Sequence, residues 1–217
     1  PTGTYIYIVT DSNGCVLSDS IDVLQPLAPL SLSANIVDVL CFSGNNGSVS
    51  TIVSGGTSPY TYQWNTSEIS DSIGGLIAGV YSVQVLDSNL CSLDSSFTIS
   101  EPISPLSLSA ISSPVLCFGG SDGSIDLSVS GGTITYTYLW NNSEITQDIS
   151  NLQVGSYQVQ VIDGNGCLDS LNVSVNQPAN PLSISETHTN VLCFGGNDGA
   201  IDITISGGTS PYSYSWS

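Results

Sequence analysis

Apolar and polar residues alternate in short runs along this chain of 217 residues. In residues 103–178 the clearest runs are 125–129 and 157–161, where apolar residues take every second position. Because successive side chains of a strand point to opposite faces, such runs predict strands that are buried on one side. Turn-forming residues such as Asp163–Gly166 separate the runs, and no segment keeps a helical period. Six or seven short strands with turns about every 8 to 12 residues predict an all-β fold, a β-sandwich of immunoglobulin type.

This pattern returns with a period of 76 residues, the spacing from Cys41 to Cys117 and from Cys117 to Cys193. Three other series keep the same spacing: Cys15, Cys91 and Cys167; Trp64, Trp140 and Trp216; and Pro26, Pro102 and Pro178. Several series in one register indicate tandem copies of one folding unit. We therefore expect two complete domains, residues 26–102 and 103–178, arranged end to end. Residues 1–25 match the second part of a repeat and residues 179–217 the first part, as in a window on a longer array.

Each complete unit has a tryptophan on its predicted third strand. Trp64 and Trp140 alternate with polar neighbours, so we expect them in the core together with Tyr81 and Tyr157. An aromatic platform that stacks on sugars is the alternative for the tryptophans, and the alternation favours burial. The short proline-containing connectors are poor in glycine, which predicts that neighbouring domains are held extended.

Charge narrows the function classes. The chain has 18 acidic residues and no lysine or arginine. Such a surface has no side chains to neutralise phosphates, which excludes nucleic-acid binding and attraction to anionic lipid. No apolar run reaches the roughly 20 residues of a membrane-spanning helix, and these 217 residues contain no stretch with the pattern expected of a signal peptide. Because the chain has no lysine or arginine to form salt bridges, the fold must be stabilised by burial, hydrogen bonds, disulfides or bound cations.

Two segments of the sequence resemble a known repeat. Residues 193–216 (CFGGNDGAIDITISGGTSPYSYSW) are similar to the first half of the SprB repeat, and residues 154–167 (VGSYQVQVIDGNGC) to its second half. The resemblance implies a PKD-like or immunoglobulin-like β-sandwich from a very large surface adhesin of gliding or other Bacteroidota, exported by type IX secretion. The second copy departs from the pattern at Thr135, where the other copies have Pro59 and Pro211.

Six cysteines at fixed repeat positions predict disulfides in an oxidising compartment. A zinc site is disfavoured because there is no C-x-x-C pair and only one histidine. An immunoglobulin-like topology leaves three pairings open: Cys41 with Cys167, which staples adjacent domains; Cys41 with Cys91 and Cys117 with Cys167, within one unit; or Cys15 with Cys41, Cys91 with Cys117 and Cys167 with Cys193.

The loops that hold the cysteines also hold recurring acids. They are Asp122 and Asp198 in the first loop, and Asp87 and Asp163 in the last. Since calcium prefers clustered oxygen ligands, one hypothesis is that Ca²⁺ bridges these acids at domain junctions. The alternative is that Asp-Gly and Asn-Gly pairs serve turn formation alone. Apart from calcium, no cofactor is expected.

Three Asp-Ser-aliphatic triplets resemble the O-glycosylation signal used by Bacteroidota, with Ser20, Ser72 and Ser170 as the acceptors. Asparagine sequons also occur, at Asn46, Asn65, Asn141 and Asn172. They would matter only in a host that uses that pathway. For the three serines, O-glycosylation is a hypothesis that rests on these triplets alone.

No motif for catalysis is present, and the single histidine, His188, has no copy in the other repeats. We expect a non-enzymatic, extracellular structural region of a cell-surface adhesin, forming a stalk or filament for attachment or gliding. The alternative is a set of glycan-binding accessory repeats in a secreted polysaccharide-active protein. Expected partners are the neighbouring repeats, other copies in a filament, and a surface or polysaccharide ligand bound by other regions.

Overall fold

The computed structural model describes residues 1–217 and consists of sixteen β-strands without a helix. The strands are β1 (Gly3–Thr10), β2 (Val16–Val23), β3 (Ser31–Val37), β4 (Gly47–Ser54), β5 (Thr61–Trp64), β6 (Ser72–Leu76), β7 (Gly79–Leu86), β8 (Ser92–Ile99), β9 (Ser107–Ser113), β10 (Gly123–Ser130), β11 (Thr137–Trp140), β12 (Ile149–Leu152), β13 (Gly155–Ile162), β14 (Leu168–Val175), β15 (Ser183–Thr189) and β16 (Ala200–Ser206). The predicted all-β fold is confirmed. No helix is available to cross a membrane.

The two complete repeats have the same topology. In the first, one sheet has the order β3-β4-β6 and the other β5-β7-β8; in the second, the orders are β9-β10-β12 and β11-β13-β14. All strand pairs are antiparallel. Two three-stranded sheets whose inner faces share one core form the predicted immunoglobulin-like sandwich.

Each repeat has its own core, built from residues 76 positions apart. The second core contains Val115, Ile125, Leu127, Trp140, Ile149, Leu152, Val159, Val161 and Val175. The first contains the corresponding residues, with Thr51 in place of Leu127 and with Tyr81 added. The Thr51 hydroxyl donates to the Asp71 carbonyl at 2.7 Å, so the buried polar group is satisfied. Burying one large aliphatic or aromatic side chain stabilises the fold by about 1.5–3 kcal/mol, which explains why the alternation is kept in both copies.

The second strand of each repeat begins with a glycine, at a point where the neighbouring strand and the opposite sheet lie very close to its backbone. The register between β10 and β12 shifts after Gly123, and a Cβ there would lie 3.0 Å from the Leu152 carbonyl oxygen and 2.7 Å from a Val175 methyl group. The first repeat shows the same shift after Gly47. The missing side chain therefore lets the two sheets close at this edge.

Two further strand pairs lie outside the complete sandwiches. The hairpin β1–β2 corresponds to β7–β8 and β13–β14, and the pair β15–β16 corresponds to β3–β4 and β9–β10. The chain divides into two compact units, residues 1–101 and 102–217, and each contains one complete repeat and one strand pair.

Candidate functional site at the two ends of each repeat

A buried carboxylate closes one end of the second repeat. Asp163 stands in the hairpin between β13 and β14 and is only 5% exposed. Its Oδ1 accepts the backbone N–H of Asn165 at 2.9 Å and of Cys167 at 2.8 Å, which fixes the hairpin turn. Its Oδ2 accepts the N–H of Thr133 at 2.8 Å, from the loop between β10 and β11. One side chain therefore joins two loops, and we call this arrangement the aspartate clamp.

The first repeat has the same clamp at Asp87, which accepts the N–H groups of Thr57, Asn89 and Cys91 at 2.9 Å each. Hydrogen bonds to the ionised carboxylate, the strongest from Cys91, lower the pKa of Asp87. At Asp163, burial acts to raise the pKa, but the N–H groups of Thr133, Cys167 and Asn165 outweigh it and the pKa is lowered. Both carboxylates are therefore held ionised at neutral pH.

The loop that meets the clamp is a Gly-Gly turn. Gly131 and Gly132 have φ angles of 71° and 61°, in the left-handed region that favours glycine. A Cβ on Gly131 would lie 1.9 Å from the Pro105 carbonyl oxygen. The Tyr136 hydroxyl donates to the Gly131 carbonyl at 2.7 Å, and the Gly132 N–H donates to the Ser104 carbonyl at 3.0 Å. This end of the repeat thus holds the segment by which the chain enters it.

The cysteine loop closes the opposite end. The Val115 N–H donates to the Asn176 carbonyl at 2.8 Å, immediately after β14, and the Gly119 N–H donates to Oε1 of Gln177 at 2.9 Å. In the first repeat the Val39 N–H donates to the Ser100 carbonyl at 2.9 Å, and Glu101 accepts the N–H of Ser43. The segment by which the chain leaves each repeat is therefore bound to its cysteine loop.

The recurring acids of the cysteine loop have a smaller role than those of the clamp. Asp122 Oδ1 accepts the Leu116 N–H at 3.1 Å, and Asp198 Oδ1 accepts the Leu192 N–H at 3.3 Å. Asn46 makes the same bond to the Leu40 N–H at 3.1 Å. One neutral amide oxygen is sufficient for this bond, so the contact is kept where the first copy has asparagine and the others have aspartate.

The four calcium candidates therefore lie in two different settings. Asp87 and Asp163 direct their oxygens at backbone donors, whereas Asp122 and Asp198 are exposed and bind one N–H each. No group of three or more His, Cys, Asp or Glu side chains could hold a metal ion. The carboxylate oxygens of Asp87 and Asp163 accept backbone N–H groups, and calcium binding at the four aspartates stays a hypothesis.

The cysteines differ in state. Cys41 and Cys167 are disulfide-bonded, while Cys15, Cys91, Cys117 and Cys193 are exposed free thiols. Of the three pairings that the sequence leaves open, only the third uses all six cysteines, and four free thiols contradict it.

Bonding within one repeat fails because the two cysteines of a repeat lie at opposite ends. Cys167 precedes β14, whereas the Cys117 loop is bonded to Asn176 after β14. Nine residues of extended chain separate these ends by about 25–30 Å, and a disulfide needs Cα atoms within about 7 Å.

The tryptophans of the complete repeats are core residues. Trp64 is 2% and Trp140 1% exposed. Their indole N–H groups donate to the carbonyls of Ser70 and Thr146, both at 2.9 Å, and so hold the loop that follows the third strand. Tyr81 is buried and Tyr157 half-buried. The predicted core set is confirmed, and the two buried indoles do not form a surface platform for sugars.

The three serines proposed as glycan acceptors are all exposed. Ser72 and Ser170 lie on β6 and β14, which are edge strands of their sheets, and Ser20 lies on β2 of the first hairpin. Their side chains are accessible, so glycosylation stays an open prediction. His188 lies exposed on β15, where its backbone pairs with Ile201.

Sequence reasoning missed the aspartate clamp and grouped its carboxylates with those of the cysteine loop. A local signal was present in the sequence. The pattern Asp-x-Asn-x-Cys begins at Asp11 and recurs unchanged at Asp87 and Asp163. An aspartate that bonds the N–H groups two and four residues later is typical of a turn. The third bond, to Thr133, joins residues 30 positions apart and has no local signal.

Comparison with known proteins adds a family to this geometry. A family model described as the SprB repeat matches residues 33–68, 109–144 and 185–217. Each match begins in the first strand of a copy, so the resemblance seen in the residues is confirmed. No curated protein matches the chain.

Several solved structures resemble the chain. The N-terminal eight Ig domains of Down Syndrome Cell Adhesion Molecule isoform 1.30.30 match with 14% identity and a TM-score of 0.41, over 82% of this chain and 28% of that one. The amphioxus IgVJ-C2 molecule matches with 15% identity and a TM-score of 0.28, over 56% of this chain and 90% of that one. Murine CEACAM1b matches with 13% identity and a TM-score of 0.28, over 68% of this chain and all of that one.

Proposed function

Since the SprB repeat model matches three stretches of the chain, we propose that the chain is a load-bearing part of the repeat region of a cell-surface adhesin. Each complete repeat acts as a spacer in a stalk or filament that presents a distal binding region, in surface attachment or gliding. The role is mechanical and needs no active site. The observation that carries the proposal is the path of the chain through each closed sandwich.

That path runs from one end of the repeat to the other. The chain enters beside the Gly-Gly turn, where Ser104 is bonded to Gly132, and leaves beside the cysteine loop, where Asn176 is bonded to Val115. Between these points β13 and β14 pair in continuous register from Gly155↔Val175 to Ile162↔Leu168. Tension applied through the chain ends therefore loads many strand hydrogen bonds along their length, which favours resistance to unfolding.

Interactions at both ends keep tension from peeling the terminal strands. The aspartate clamp and Gly-Gly turn hold the entry segment, and the cysteine loop holds the exit segment. We further propose that a disulfide between Cys41 and Cys167 links neighbouring repeats covalently. In its support, the cysteines recur at fixed positions of the 76-residue repeat, so the same link could be made between each pair of neighbouring repeats.

Single-molecule stretching of the 217-residue chain, held at its termini, tests the mechanical role. Each complete repeat should unfold in its own force peak, and each repeat should release about 25 nm of chain in the reduced protein. Replacing Asp163 by alanine should lower the force of one peak only. A single gradual extension without peaks would refute the proposal.

Non-reducing peptide mapping tests the covalent link. Because the chain lacks lysine and arginine, trypsin has no site, so a protease that cuts beside aromatic residues is needed. We expect one disulfide-linked peptide pair that contains Cys41 and Cys167. A link from Cys41 to any other cysteine would disprove this pairing.

Two measurements test the adhesin setting. Antibodies against residues 26–178 should label intact cells of the source organism without permeabilisation. A glycan array probed with the full chain should show no binding, because a passive spacer leaves ligand recognition to other regions. Specific binding to one glycan class would instead favour the role of a glycan-binding accessory repeat.

A further inference from the structure

A short connector joins the second repeat to the copy that follows it, and both of its ends are hydrogen-bonded. On the first side, Oε1 of Gln177 accepts the Gly119 N–H of the cysteine loop at 2.9 Å. On the second side, the Asn180 carbonyl accepts the Gly208 N–H at 3.1 Å, in the Gly-Gly turn of the following copy. Three peptide steps separate the two anchoring residues and span at most about 11 Å. The cysteine loop and the next Gly-Gly turn are therefore held near each other.

Residues on both sides of this connector line one cleft. Leu116 and Phe118, which we call the loop tip, line it from the cysteine loop. Pro178 of the connector and Pro181 and Pro211 of the following copy line it from the other side, and we call them the proline surface. All five residues belong to the second compact unit of the chain. The loop tip thus lies beside the end by which the chain enters the following copy.

The loop tip is apolar although it takes no part in the core of its own repeat. Leu116 is 72% and Phe118 47% exposed, whereas the adjacent Val115 is a core residue with 1% exposure. The sequence Val-Leu-Cys-Phe recurs in all three copies, beginning at positions 39, 115 and 191. An exposed apolar pair that every copy carries and that the core of its own repeat does not use indicates a contact outside the repeat.

The segments that carry the loop tip and the proline surface are free of charge. Residues 114–121, 178–182 and 207–212 contain no acidic residue, in a chain that has 18 acids and no lysine or arginine. Contact between these segments therefore brings no carboxylates together. Proline has a fixed φ and loses almost no side-chain entropy on burial, so the proline surface offers rigid apolar area to an aromatic side chain.

We propose that the loop tip docks on the proline surface and makes a stiff joint between the second repeat and the copy that follows it. The inference rests on the proposed load-bearing function and adds how one repeat is oriented on the next. Phe118 supplies the apolar contact, while the anchors at Gln177 and Asn180 keep the connector short. Bending at the joint exposes Phe118 and the prolines to water, and this cost keeps the two copies aligned.

NMR spectroscopy of the full chain tests the contact and the stiffness separately. Nuclear Overhauser contacts should join the ring protons of Phe118 to those of Pro181 or Pro211. Residual dipolar couplings of the strands in the second repeat and of β15 and β16 should fit one alignment tensor. In Phe118→Ser the shared tensor should be lost, and the two sets of strands should need separate tensors.

Ile111→Ser is the matched control, because Ile111 is 76% exposed on β9 of the same repeat and is not among the residues that line the cleft. This variant should keep the single tensor. Amide chemical shifts of β13 and β14 should be unchanged in both variants, which separates a loosened joint from an unfolded repeat. Two tensors in the wild-type chain, no contact from the Phe118 ring to either proline, or equal behaviour of the two variants would overturn the proposal.

Failure of the joint is distinguishable from failure of the load-bearing function. Repeats connected by a loose joint still unfold in separate force peaks, so the stretching experiment would keep its expected result. A chain that extends without force peaks but keeps one alignment tensor would refute the load-bearing role and leave the joint.

Discussion

The aspartate clamp gives the sharpest prediction. Replacing Asp163 by alanine removes the acceptor of three backbone N–H groups, from Thr133, Asn165 and Cys167, at distances of 2.8–2.9 Å. At about 1 kcal/mol for each donor left without its partner, the free energy of unfolding of this repeat should fall by about 3 kcal/mol. For a domain of this size that is a fall of about 15 °C in Tm.

Two further variants test whether the loss of stability comes from the hydrogen bonds of the clamp or from the loss of a negative charge. Asp163→Asn keeps one acceptor oxygen but turns an amide NH₂ toward Thr133 N–H, so we expect a loss of about 2 kcal/mol. Asp122→Asn should change stability by less than about 0.5 kcal/mol, because Asn46 already makes the equivalent single bond in the first repeat. The contrast isolates the clamp from a general effect of removing negative charge.

Acid dependence provides a second test of the same carboxylate. The pKa of Asp163 is lowered in the folded state, so its contribution is complete above the unfolded pKa of about 3.9 and is lost as pH falls through the folded value. Stability of the second repeat should therefore decline below about pH 4. In Asp163→Asn that part of the decline should be absent.

Hydrogen exchange with mass spectrometry is the suitable assay because it follows the two repeats separately. Peptides from residues 103–178 should exchange faster in the Asp163 variants, while peptides from residues 26–102 act as an internal control through the intact Asp87 clamp. Equal losses of stability in Asp163→Ala and Asp122→Asn would refute the reasoning. So would an unchanged acid profile in Asp163→Asn.

Three further perturbations follow from the same structure. Gly131→Ala should lower the free energy of unfolding by about 3 kcal/mol or more, because the new Cβ would lie 1.9 Å from the Pro105 carbonyl oxygen. Gly119→Ala should lower it by only about 1–2 kcal/mol, because Gly119 has a φ of 77° but open space around it. Denaturant unfolding compares the two variants. Trp140→Ala should cost about 3–5 kcal/mol, and Leu139→Ala, which is 53% exposed on the same strand, less than about 1 kcal/mol in the same assay. Thermal melting with EGTA should leave the midpoint unchanged, since the clamp carboxylates already accept backbone donors; a lower midpoint would support the calcium hypothesis.

The sequence by itself determined the strands, the repeat and the core. Alternation at positions such as 125–129 is a local signal, because a one-sided strand needs an apolar residue at every second position. The 76-residue register then assigned Trp64 and Trp140 to equivalent core sites, and each is buried. These features depend on short segments and on their exact repetition, and both are visible in the residues alone.

Only the tertiary structure decided the roles of the acids and cysteines. Asp163 and Asp122 look alike as turn residues, but one meets a loop 30 residues away and the other bonds only a neighbour in its own loop. Cys117 and Cys167 belong to one repeat yet lie at opposite ends of β14. The interactions that separate these cases join distant parts of the chain, and their energies arise only when the two sheets have packed together.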